Sequence, residues 1–230
     1  MMKYVVTGLA AATALSMTAI GAFAGGVTPE PAPPVVVQPA PPAMDWTGAY
    51  GGLLLGLGQG TYGNGTNFPG DGEGEWDGSL YGIALGYNVQ NGSWVYGGEL
   101  TYSGANIDGS EACVNPAFQC YGEISSIATL RGRVGYLVTP STLIYGTAGF
   151  AMADLTFGTD NGAGVGGEQS RNVNGWVAGL GLETALTERL NLRGAILHYE
   201  FDDATYQTDV PYNNVGGDLN QLEVGVIFRF

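Results

Sequence analysis

The chain has 230 residues, room for one substantial domain or two small ones, and a formal net charge of −14. Charged residues make up 12% of it, while glycine numbers 40 and aromatic residues reach 11%. That balance excludes nucleic-acid binding, for which no basic stripe exists, and fits closely pleated sheet better than helix.

The first 24 residues form a segment of their own. Lys3 gives a positive start, Val5 to Ile20 an apolar, alanine-rich run, and Ala22-Phe23-Ala24 a small-x-small cleavage site. The expectation is a signal peptide cut after Ala24, for Sec export. Losing Lys3, the one lysine, takes the net charge from −14 to −15. From Gly25 to Met44, seven prolines surround Val35-Val36-Val37. Proline fixes φ and removes donors, so this stretch is expected to be an extended, semi-rigid periplasmic tether.

From Asp45 to Phe230 eight apolar-aromatic stretches follow: Trp46 to Gly58, Leu80 to Val89, Trp94 to Ala105, Ile124 to Val138, Leu143 to Phe157, Gly175 to Ala185, Leu190 to Phe201 and Leu219 to Phe230. Roughly ten to fifteen residues each suits a tilted membrane-crossing strand. Tyr81, Ile83, Leu85, Tyr87 and Val89 alternate with Gly82, Ala84, Gly86 and Asn88, so one face is large and greasy and the other small or polar. Trp94, Tyr96, Leu100 and Tyr102 alternate in the same way with Val95, Gly97, Glu99 and Thr101. A soluble barrel has its greasy face inside; here the pattern predicts it outside, against lipid. In the seventh stretch Arg193 and the pair His198/Glu200 have opposite parity, which predicts a bulge or a snorkelling arginine.

Short links carry turn chemistry: Gln90-Asn91-Gly92-Ser93, Thr139-Pro140-Ser141-Thr142, and Leu186 to Arg189. Asn-Gly is a strong signal for a type I′ hairpin, whose central residues both take positive φ. Long polar links alternate with them, at Gln59 to Ser79, Asn106 to Glu123, Gly158 to Asn174 and Asp202 to Asp218. The fold class expected is therefore all-β, an eight-stranded antiparallel transmembrane β-barrel with short periplasmic turns and four long extracellular loops. Its outward face would carry Trp46, Trp94, Tyr136, Trp176 and Phe230 near interface height. The closing strand would turn Leu222, Val224, Val226, Phe228 and Phe230 to lipid, with its backbone paired to the first strand because hydrocarbon tolerates no open edge.

Asp45-Trp46-Thr47-Gly48-Ala49-Tyr50-Gly51-Gly52, directly after a proline-rich tether, resembles the opening of small alphaproteobacterial outer-membrane barrels, of the broad group that includes OmpA, OmpX and the opacity proteins. Arg131-Gly132-Arg133-Val134-Gly135-Tyr136 is similar to that group's fourth-strand motif, and Val226-Ile227-Phe228-Arg229-Phe230 resembles its terminal aromatic assembly signal. The resemblance covers residues 45–230. It implies an outer-membrane location in a Gram-negative bacterium, contact with lipids and lipopolysaccharide, handling by periplasmic chaperones and the barrel assembly machinery, and a structural or surface role.

Glu99, Arg131, Arg133, Glu183, Glu223 and Arg229 fall on the inward parity. Charges in a narrow lumen must pair, so these are expected to form an ionic plug; the competing reading is a narrow channel. Leu197-His198-Tyr199-Glu200 contains the chain's one histidine. No serine lies in that stretch to act as nucleophile, so His198 is expected to be a lumen-rim residue and no catalytic site is assigned. Cys113 and Cys120, in an exported chain, are expected to form a disulfide worth about 2–3 kcal/mol in the chain-entropy model. Asp71 to Asp77 fails as a calcium loop because Trp76 and Gly82 stand where glycine and glutamate are required, and Gly56 to Gly60 opens no helix and is no phosphate loop. No metal and no cofactor is expected.

Overall fold

A computed structural model describes residues 44–63 and 67–230. The expected leader at 1–24 and, apart from Met44, the expected tether lie outside the described residues. Eight antiparallel strands close into a barrel in chain order: β1 (Gly48–Tyr62), β2 (Gly74–Asn91), β3 (Trp94–Ala112), β4 (Gln119–Thr139), β5 (Thr142–Asp160), β6 (Gly166–Ala185), β7 (Leu190–Gln207) and β8 (Pro211–Arg229). Closure runs through β1 and β8, from Tyr50 opposite Arg229 to Gln59 opposite Asn220. The terminal strand is thus paired along the whole of its apolar stretch, and Phe230 N–H still donates to the Ala49 carbonyl.

On the side of the short turns, here the lower half, the faces are as the alternation predicts. Tyr81, Ile83, Leu85, Tyr87 and Val89 of β2 and Leu222, Val224, Val226 and Phe228 of β8 point outward. Tyr81 to Val89 spans the length a tilted strand needs to cross hydrocarbon. Trp94, Tyr136, Trp176 and Phe230 also face outward, but Trp46 is a correction: it is 1% exposed and closes the lower mouth of the lumen. Its ring packs with Val95, Leu143 and Tyr145, and its Nε1–H donates to the Pro140 carbonyl at 3.3 Å. Burial of the indole is tolerated because its N–H is hydrogen-bonded.

The upper half corrects a second expectation. Strands run 15 to 21 residues, because about half of the first long polar link and most of the other three are strand. The connections left are 63–73, 113–118, 161–165 and 208–210. Above the lipid band the alternation continues with its chemistry inverted. Gln59, Asp77, Asn106, Asp108, Asn174 and Asn220 face out, while Tyr62, Trp76, Ile107, Ile124, Leu155, Phe157, Phe201 and Tyr206 fill the inside. Strand surrounded by water buries its apolar face inward, as in a soluble barrel. One unpaired residue in β4, Ser125, forms a bulge that keeps Ile124 and Ile127 both inward.

β7 needs neither a bulge at Arg193 nor a snorkelling side chain. Asn191, Arg193, Ala195, Leu197, Tyr199 and Phe201 all point inward without interruption, and His198 and Glu200 point outward. The first lower turn also differs in detail. Asn91 pairs with Trp94, so the central residues are Gly92 and Ser93, and only Gly92 takes a positive φ, 61°. That meets the requirement of a type II′ turn, where glycine stands at the first central position.

Candidate functional site

The lower lumen gathers charges from five strands. Ladder register sets Glu99 of β3 directly opposite Arg131 of β4, and Glu183 of β6 opposite Arg193 of β7. Arg131 Nη2 lies 2.5 Å from Glu99 Oε1, and Arg193 Nη1 donates to Glu99 Oε2 at 2.7 Å. Arg193 also donates to Glu183 Oε2 through Nε at 3.2 Å and Nη2 at 3.1 Å, and Arg133 Nη2 reaches the same oxygen at 3.1 Å. Glu223 of β8 joins at the edge, 4.0 Å from Arg131. Neutral groups complete the set. Tyr50 O–H donates to Glu99 at 2.8 Å and accepts from Arg133 at 3.2 Å, and Asn191 Nδ2 donates to Glu183 at 2.7 Å.

Tyr145 lies flat beneath Arg133, with the guanidinium 4.4 Å from its ring centroid. Room for the two tyrosine rings comes from glycine: a Cβ on Gly86 would strike the Tyr50 ring, and one on Gly181 the Tyr145 ring. Every charged member is almost fully buried. Glu99 and Glu183 have exchanged water for guanidinium contacts, so deletion of one partner strands the other in a medium of low dielectric.

Five of the six lumen charges expected from sequence, Glu99, Arg131, Arg133, Glu183 and Glu223, therefore meet. Arg229 does not. It points inward but sits lower, half buried, with its guanidinium 5.5 Å from the Trp46 ring centroid and no ion pair among the described residues. Arg193 takes the place assigned to it. The signal was present in the turn, since folding Leu186 to Arg189 back as a hairpin sets residue 193 opposite residue 183. Below, Trp46 N–H donates to Gln90 Oε1 at 2.7 Å, fixing the stopper to β2. Asp45 beside it is held below the usual carboxylate range by the Thr47 backbone N–H.

Above the charges the lumen is packed by aromatic rings. Phe157 contacts Tyr62, Phe68, Trp76 and Tyr206, at ring centroid distances of 4.8 to 6.0 Å. Phe68 comes from the connection after β1 and is fully buried. Cys113 and Cys120 form the expected disulfide at the end of the β3–β4 hairpin, their Cα atoms 5.2 Å apart. Gly70 N–H donates to the Ala112 carbonyl, tying the connection that carries Phe68 to that hairpin.

His198 is not at the lumen rim. On the outer surface, just above the lipid band, its Nδ1 lies 2.9 Å from Asn220 Oδ1, its Nε2 3.5 Å from Glu200, and its ring packs on Trp176. Among the described residues no group of three or more His, Cys, Asp or Glu side chains converges as a metal cage would.

A family model described as outer membrane protein beta-barrel domain matches residues 9–230. The chain belongs to this family. Within it, a 22 kDa outer membrane protein of Rhizobium leguminosarum bv. viciae is 31% identical over 194 residues, covering 84% of this chain and 82% of the relative. The 25 kDa outer-membrane immunogenic protein of Brucella canis is 30% identical over 229 residues, covering 96% of each. Among solved structures, OprG of Pseudomonas aeruginosa superposes with a TM-score of 0.51 at 13% identity, covering 81% of this chain and 98% of OprG, a likeness of fold alone. The protein is an outer-membrane β-barrel of the Gram-negative type, as the resemblance in its opening, its fourth strand and its terminal strand implied.

Proposed function

We propose that this family member is a non-conducting, non-catalytic surface barrel, which contributes to the envelope and presents a polar extension to the outside. One observation carries the reading: the lumen is occupied along its length, by Trp46, then the ionic cluster, then the aromatic core. An eight-stranded barrel encloses just enough space for side chains to fill, so ions crossing it would have to displace a paired cluster and a packed core together. The relatives named as immunogenic proteins support surface display. Export through a cleaved leader, chaperone handling, insertion by the assembly machinery and contact with lipopolysaccharide belong to the same proposal, supported by the leader pattern and by the terminal aromatic strand.

A narrow channel is the second reading. It draws on Asn88, Asn191, Gln221 and Glu223, each with a buried side-chain oxygen that no protein group bonds among the described residues. Planar-bilayer recording separates the two. The refolded protein, verified as a barrel by heat-modifiable migration on gels, should give no steady current. A steady ohmic current from it would favour the channel.

A further inference from the structure

In the upper half the barrel wall has a break. β6 stays paired with β5 up to Gly166 opposite Asp160, and β7 with β8 as far as Gln207 opposite Pro211. β6 and β7, however, pair with each other only from Ala185 opposite Asn191 to Gly175 opposite Phe201. Above that point, residues 166–174 and 202–207 share no ladder pair, although 166–174 is fully paired with β5 on its other edge, and 202–207 pairs with β8 at Ala204, Tyr206 and Gln207 across two register shifts.

Continued in register, the ladder would set Arg171 opposite Thr205 and Gln169 opposite Gln207. Side chains cross at those positions instead. Arg171 Nη1 donates to the Thr205 carbonyl at 2.6 Å, and Gln207 N–H donates to Gln169 Oε1 at 2.8 Å. Higher up the two sides meet again, where Thr159 Oγ1 donates to Asp209 at 2.9 Å and Gly167 lies against the Thr208 backbone. The result is a slot bounded by Gly175/Phe201 below and Gly167/Thr208 above. Tyr206, on its inner side, is fully buried, and its phenol oxygen has no hydrogen-bond partner among the described residues.

We propose that this slot is a strand-addition site that takes an extended, cationic polypeptide segment. The 166–174 edge of β6, in unbroken register with β5, offers backbone donors and acceptors at ladder spacing, and such edges bind extended chains through main-chain hydrogen bonds. Arg171 and Gln169 hold two backbone groups of the facing β7 edge with long side chains, which a visiting strand replaces group for group. The charge of the occupant follows from the surroundings. Asp154, opposite Asn172, Glu200, opposite Trp176, Asp202, next to Phe201, and Asp209, bonded to Thr159, lie beside the slot, against Arg171, on a chain of net charge −14. A lysine- or arginine-bearing segment is complementary to that field, whereas a second copy of this chain brings like charge. The proposal rests on the surface reading only for placing the slot outside the cell, and bilayer conductance does not bear on it.

The test uses full-length protein refolded in micelles and a short peptide alternating threonine and lysine. Binding is followed by fluorescence anisotropy of the labelled peptide. The wild type should bind it, and the same peptide with proline at alternate positions, which cannot donate to a ladder, should bind about tenfold or more weakly. Arg171→Cys/Thr205→Cys, oxidised to pin the edges together, should lose a similar factor relative to Arg171→Cys alone. Backbone amides of 167–174 should exchange with solvent faster than those of 176–184 in the free protein, and slow when peptide is added. Absence of binding by the wild type, equal binding of the proline peptide, or equal protection of the two amide groups would each overturn the proposal.

Discussion

The lower and upper halves of this barrel are built from the same eight strands and obey opposite rules. In the lower half Leu180 and Phe150 lie on the outside and Glu183 and Arg131 inside; in the upper half Asn174 lies outside and Phe157 inside. The same strands run through both, with a bulge in β4 and irregular pairing in β7 confined to the upper half. What changes is the solvent against the outer wall, and side chains on both faces follow it. The ionic cluster and the aromatic core are therefore two solutions to one problem, filling a cylinder of fixed width. In lipid the apolar residues are drawn outward and the lumen is left to paired charge; in water they return to the centre.

The most severe way to break the comparison is within the ionic cluster. Arg193→Ala removes one contact to Glu99 and two to Glu183, leaving buried carboxylates undercompensated, and should cost about 3–5 kcal/mol in urea unfolding of the refolded protein. A loss below about 1 kcal/mol would mean that the lumen charges are solvated and not plugged. The outer wall gives a sharper contrast. Leu180→Arg, in the apolar band, should destabilise by about 2–4 kcal/mol, while Asn174→Arg, on the same strand and face but above the band, should fall within about 0.5 kcal/mol of the wild type. Equal effects at the two sites would erase the boundary. Within the lumen the smallest loss is expected for Arg229→Ala. With a ring contact to Trp46 and no ion pair, it should cost less than about 1 kcal/mol in the same assay, well under Arg193→Ala.

Strand number, pairing order, the outward band and five of the six cluster charges were legible in the sequence. Period-two alternation runs through the strands except at the Ser125 bulge of β4 and the upper end of β7, and hairpin links fix which neighbours pair. The polar links were harder to read, because alternation reports two faces and not the medium beyond them. Glu75-Trp76-Asp77 reads as loop if greasy residues must face outward, and as strand once the outside is water. The same ambiguity misplaced Arg193. Taking His198 and Glu200 as lumen residues, since they are polar, forced a phase break between Arg193 and Glu200 that β7 does not contain; they lie outside because the lipid band ends below them. Trp46 was assigned to the interface on residue type alone, and the stopper role depends on Pro140 and Gln90, distant in sequence and adjacent only in the closed barrel.

The chain's four tryptophans sample both faces and both halves. Single-tryptophan versions, with phenylalanine at the other three positions, can be refolded into bilayers whose acyl chains carry bromine, a contact quencher of indole fluorescence. The account predicts strong quenching of Trp94 and Trp176, which are 48% and 47% exposed on the outer wall, and little of Trp46 and Trp76, each 1% exposed. Quenching of Trp76 equal to that of Trp94 would contradict it.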